Sequence, residues 1–221
     1  MLIKRIFILP VIAVMFAGCA SQVTETDQYS GFLRDYSKLE EVKSASGAPV
    51  LRWTNDKLSS MNYQKLQLAP VFYFPKPQAS QQVNNETLKQ VQQYIDQQLR
   101  AELGKALQLT NAPGPNTLSM KVAITAVSAD VEGLKPYEVV PIALVAAAAS
   151  SASGARDRVA TVYLEIEARD SQNGELMGQA VRKIQGGTLE NDKTALTLPA
   201  IKAGLDTAAK DASAFFKARV N

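Results

Sequence analysis

The sequence predicts one α+β domain in which an antiparallel or mixed sheet of about four to five strands carries two helices. Three observations point there. Apolar residues alternate with polar ones over 118–126 and 160–184, as in half-buried strands. Apolar stripes of helical period run over 85–109 and 197–219. The order is strand, helix, strand, hairpin, helix. The 221 residues are 46% hydrophobic and 20% charged, enough to bury a core without disulfides.

The first segment has another purpose. Lys4 and Arg5 precede an apolar run from Ile6 to Phe16, and small Ala17 and Gly18 precede Cys19. That order is a secretory signal, and the run is shorter than the about 20 residues that span a bilayer. Phe16-Ala17-Gly18-Cys19 resembles the bacterial lipobox, which implies cleavage between Gly18 and Cys19 and acylation of the Cys19 thiol. Several acyl chains on one residue anchor a protein stably where one chain does not. Ala20 after the cysteine resembles the sorting signal for the outer membrane. The chain is thus expected as signal peptide 1–18, lipidated cysteine and flexible tether 19–30, and periplasmic domain 31–221.

Within the domain, Phe32, Tyr36 and Leu39 recur at helical spacing behind Ser30, so a short amphipathic turn is expected over 31–39. Lys65 to Phe74 is apolar, aromatic and bounded by Pro75 and Pro77, which reads as a buried strand. Asn84 or Asn85 can cap the long helix, whose stripe is Leu88, Val91, Ile95, Leu99, Leu103 and Ala106. Leu118, Met120, Val122, Ile124 and Ala126 alternate along a strand with one wet face. A further strand, Ala160 to Arg169, sets Val162, Leu164, Ile166 and Ala168 opposite Tyr163, Glu165, Glu167 and Arg169. Asn173-Gly174 signals a tight hairpin returning through Glu175 to Ile184. Leu198, Ile201, Leu205, Ala208, Ala212 and Phe215 form the stripe of the last helix. Between the second and third strands lie Tyr137 and the alanine-rich segment 139–154, too short to span a membrane. It reads as a core-packed connection or as a partner-binding or membrane-surface loop.

GFLRDY at Gly31 to Tyr36, Arg52-Trp53, Tyr63-Gln64-Lys65-Leu66 leading into Ala69-Pro70-Val71, and the Glu165 to Gly174 hairpin resemble a proteobacterial lipoprotein family, domain of unknown function 3313. The resemblance runs from Gly31 to the last helix and brings no assigned activity. In element order the domain is similar to periplasmic α/β modules such as the amino-terminal domain of TolB and the lipoprotein activators of envelope synthases.

Chemistry is read mainly by exclusion. The chain has no histidine and one cysteine, so Ser-His-Asp triads, Cys-His pairs and histidine-bound zinc are not available to it. No phosphate-binding glycine motif occurs. After signal removal 22 basic residues face 21 acidic ones without a basic cluster, which argues against nucleic acid. Glu165 and Glu167 share a strand face about 6 to 7 Å apart, near glycosidase spacing, yet the plainer reading is a solvent face beside Arg169 and Tyr163. Asp170 to Glu175 offers oxygen ligands without the spacing of a calcium loop, and a turn explains them. The sequence therefore predicts no enzyme, metal or cofactor. It predicts an outer-membrane lipoprotein that binds an envelope protein partner, with Phe32, Tyr36, Trp53 and Tyr137 as candidate surface. The alternatives are a lipid or glycan carrier, resting on the aromatics around Trp53 and the alanine-rich segment, and, remotely, a carboxylate hydrolase.

Overall fold

The computed structural model describes residues 23–131 and 158–220. Cys19, Tyr137 and the alanine-rich segment 139–154 lie outside them. Among the described residues eight strands form one mixed sheet: β1 (Glu40–Lys43), β2 (Pro49–Thr54), β3 (Lys65–Leu68), β4 (Phe72–Tyr73), β5 (Gln108–Leu109), β6 (Thr117–Val131), β7 (Arg158–Asp170) and β8 (Leu176–Leu189). Two helices, α1 (Asn85–Leu103) and α2 (Leu198–Val220), complete the α+β domain. The sheet order is β1-β2-β8-β7-β6-β3-β5, with β4 beside β6. Pairing is antiparallel from β1 through β6 and parallel among β3, β4, β5 and β6.

Eight strands replace the four to five that alternation suggested. The extra pair, β1 and β2, is an edge hairpin of mixed composition (EEVK and PVLRWT) whose residues lack strict alternation. The single strand expected over Lys65–Phe74 is two, β3 and β4, because Pro70 has no N–H for the ladder. Both halves pair with β6, and α1 secures the break: Asp96 accepts the Val71 N–H at 3.0 Å and Gln92 donates to its carbonyl at 2.7 Å.

α1 begins as expected, with Asn84 Oδ1 accepting from Thr87 N at 2.8 Å, and buries Leu88, Val91, Ile95, Leu99 and Leu103. It stops at Leu103 rather than 109. Beyond Gly104, Gln108 N donates to Gln64 O and Thr110 N to Leu66 O, so the chain satisfies the open edge of β3 instead of continuing the helix. In α2 the buried stripe is Ile201, Leu205, Ala208, Ala209 and Phe216; Phe215 is only partly buried. The β7–β8 turn is wider than Asn173-Gly174 suggests: Asp170 N bonds Glu175 O, leaving a four-residue loop with Gly174 at φ +74°.

Both helices cover one sheet face. α2 meets β8 at a glycine contact, for a Cβ on Gly204 would lie 2.6 Å from Gln185 O and one on Gly186 2.2 Å from Ala200 O. On the other face residues 30–36 lie over Glu165 at the middle of β7 and reach Phe72 of β4. No helix forms over 31–39: Ser30 Oγ accepts the Phe32 N–H, and a single turn closes where Leu39 N donates to Tyr36 O. Upstream, within the stretch expected as tether, Thr26–Gln28 form a 3-10 turn and Thr24 is buried.

Candidate functional site

Two places gather polar side chains at otherwise apolar surfaces. The first centres on Glu165, at the middle of β7 between Ala123 on β6 and Val181 on β8. The face expected to be wet is not: Tyr163 is nearly buried, and Glu165 is fully buried where Ser30, Leu33 and Tyr36 lie over it. Alternation assigned the side chains to the right faces, but it carries no information on a covering segment about 130 residues upstream. Glu165 Oε1 accepts the Ser30 N–H at 2.8 Å, and Oε2 accepts the Leu33 N–H at 3.3 Å and the Tyr36 hydroxyl at 2.7 Å. Burial, then the hydrogen bond to Glu165, pushes the Tyr36 hydroxyl up to about 12. Tyr29 stacks on Tyr36 with ring centres 4.3 Å apart, and Phe32 packs edge-on against Phe72. Glu167 pairs with Arg169 through two contacts of 2.8 and 2.9 Å. The two glutamates are thus tied to different partners, and Glu165 is a fastening for the strap.

The second place is a cleft between the helices and the sheet. The β2–β8 and β7–β8 registers put Arg52, Ala180 and Ile166 abreast on the helix-covered face, with Thr54, Gly178 and Ala168 one row away. Opposite them α2 presents Ala208, Ala209 and Ala212. Small side chains on both layers leave space, and Ile166, Ala180, Ala212 and Phe215 remain only partly buried. The cleft has a volume of about 110 Å³ and almost wholly apolar walls, to which α1 adds Ile95 and Leu99. If fully enclosed, such a void would forgo on the order of 2 to 3 kcal/mol of packing.

Its polar end is built from β2, β8 and α2. Arg182 donates to Asp211 at 2.5 Å, and Ser46 adds its N–H and hydroxyl to the same carboxylate at 2.8 Å each. Burial raises the Asp211 carboxyl, but these donors outweigh it and hold the group below its ordinary range. Arg52 lies 4.4 Å from the centre of the Phe215 ring and Arg219 4.0 Å.

Of the candidate surface residues, Phe32 and Tyr36 come together in the strap over the outer face, and the register places Trp53 on that same face, level with Gln179 and Glu167, with the Lys38 ammonium 4.9 Å over its ring. Tyr137 falls outside the described residues. In the β7–β8 turn, Asp170 spends its carboxylate on Gln172 N, Asn173 N and the Tyr63 hydroxyl. Arg182, Asp211 and Phe215 were not recognisable as site residues. Asp211, an acid beside the small-residue stripe of α2, was the one available signal.

Residues 28–212 match the family model described as protein of unknown function (DUF3313). The chain is 37% identical over 199 residues, 90% of each protein, to the uncharacterized lipoprotein YdcL of Escherichia coli strain K12. Among solved structures it resembles a PelC dodecamer subunit from Paraburkholderia phytofirmans, with 11% identity, TM-score 0.36, and 73% of this chain and 96% of that one covered. It also resembles the hypothetical protein CT253 from Chlamydia trachomatis, with 11% identity, TM-score 0.38, and 71% and 97% covered. These two likenesses are loose ones of fold alone.

Proposed function

The chain belongs to the DUF3313 family of proteobacterial lipoproteins, and on that premise we propose a non-enzymatic envelope accessory whose domain binds a small apolar ligand between its sheet and its helices. In this reading acyl chains on Cys19 hold the protein at the outer membrane, facing the periplasm. The observation that carries it is the apolar cleft, left open by facing rows of glycine and alanine at a place where larger side chains would close the core. The protein-partner reading has less support. Two of its candidate residues, Phe32 and Tyr36, are engaged in holding the amino-terminal strap.

The test compares the mature lipoprotein with an Ala212→Phe variant that fills the cleft from α2. Both are purified from membranes in the same detergent, extracted with organic solvent and analysed by mass spectrometry. A compound retained by the wild type and missing from the variant, with thermal melting of the variant preserved, supports the proposal. Matching extracts from the two overturn it.

A further inference from the structure

The polar end of the cleft carries more positive charge than the protein balances. Arg52, Arg182 and Arg219 converge there, and Arg182 alone has a carboxylate partner, Asp211. Among the described residues neither Arg52 nor Arg219 has a carboxylate within 4.0 Å or a hydrogen-bond acceptor. Glu40, the ladder partner of Arg52, is exposed and does not pair with it. Burial, then the charges of Arg219 and Arg182, lowers the basicity of Arg52, so the three guanidinium groups feel one another.

What holds two like charges together is Phe215, whose ring both arginines approach. A guanidinium placed over a ring keeps its N–H fork available and oriented, which suits bidentate contact with a carboxylate or phosphate. Directly behind the fork lie Ile166, Ala180 and Ala212. The volume of about 110 Å³ is below the roughly 150 Å³ that takes up one benzene, so the space admits part of one tail and excludes a two-chain lipid.

We propose that the occupant is an amphiphile with a single apolar tail and an anionic carboxylate or phosphate head, the tail lying between the sheet and α2 and the head meeting Arg52 and Arg219. This rests on the ligand reading above and adds the charge and form of the ligand.

The test places the mature lipidated protein in phosphatidylcholine nanodiscs and irradiates it with a diazirine-bearing palmitic acid or its alcohol counterpart, locating labels by peptide mass spectrometry. The acid is expected to label peptides containing Ile166, Ala180 or Ala212 in preference to the alcohol. Arg52→Gln with Arg219→Gln should reduce that labelling about tenfold or more, the size expected for losing hydrogen bonds to a charged group. The corresponding double lysine variant should retain most of it, which separates loss of charge from loss of fold. Competition by unlabelled palmitate or by an alkyl phosphate identifies the preferred head. Equal labelling by acid and alcohol, indifferent to the arginines, overturns the charged head and leaves the ligand reading standing. Absence of cleft labelling by either probe overturns both.

Discussion

The Tyr36 hydroxyl donates to the Glu165 carboxylate at 2.7 Å across 129 positions of sequence, and that contact joins the amino-terminal strap to the centre of the sheet. Replacing Glu165 with alanine leaves Tyr36 and the Ser30 and Leu33 N–H groups without their acceptor. The expected cost is about 3 kcal/mol, and Tyr36→Phe should cost about 1 to 2 kcal/mol. Denaturant melts of the lipoprotein measure both. Limited proteolysis before Ser30 should accelerate in Glu165→Ala first.

Alkaline titration checks the same environment. Burial, with a hydrogen bond to Glu165, keeps Tyr36 protonated to about 12, and burial likewise raises Tyr63 and Tyr73. The unfolded chain loses these protons near pH 10, so it binds fewer protons than the folded one above that point and stability falls as pH rises. Ultraviolet difference spectra should show these tyrosines ionising above the ordinary value near pH 10 and together with unfolding. A single early transition would contradict the buried contacts.

Asp211 gives the acid counterpart. Its folded pKa is depressed, so its contribution is complete above the ordinary carboxylate value, near 3.9, and disappears as pH falls through the folded value. Asp211→Asn leaves Arg182, which is 9% exposed, with a buried uncompensated charge. A loss of about 3 to 5 kcal/mol at neutral pH is expected, and a smaller one near pH 3, which lies below the ordinary carboxylate value so that the contribution of the wild-type carboxylate is already diminishing. Chemical denaturation at the two pH values decides it.

Gly204→Ala sets helix propensity against packing. Alanine favours a helix by about 1 kcal/mol over glycine. The added Cβ would stand 2.8 Å from the Ile184 Cγ2 methyl and 2.6 Å from Gln185 O, the latter a backbone atom that cannot yield without lifting α2 from β8. The clash should win by about 2 kcal/mol, seen as a fall in melting temperature of roughly 4 to 8 °C. An unchanged or higher melting temperature would show that the helix relaxes freely.

At the anchor, Cys19→Ser should abolish labelling by a palmitate analogue and leave an uncleaved precursor. Because Thr24 is buried, four residues separate Cys19 from it, five steps with a reach of about 18 Å when fully extended. The wild type should therefore resist protease at the membrane surface better than a variant with a flexible insertion after Ala20.

What the sequence determined on its own is what neighbouring residues decide. The period of Leu88 to Leu103 and the cap at Asn84 placed α1, alternation placed β6, β7 and β8, and the GFLRDY, Arg52-Trp53 and Tyr63-to-Val71 motifs marked the lipoprotein family. The end of α1, the split at Pro70 and the β1–β2 hairpin were harder. Each depends on an edge that another strand offers, and edges belong to the assembled sheet.

Tertiary structure alone decided the sites. Glu165 reads as solvent-facing along its strand and is buried because a distant segment lies over it. Gly178, Ala180, Ala168 and Ala212 are unremarkable apart and make a cleft only when register and helix packing set them face to face. Periodicity reports which way a side chain points; what meets it there depends on chain that may be any distance away in sequence, and that is settled only when the layers pack.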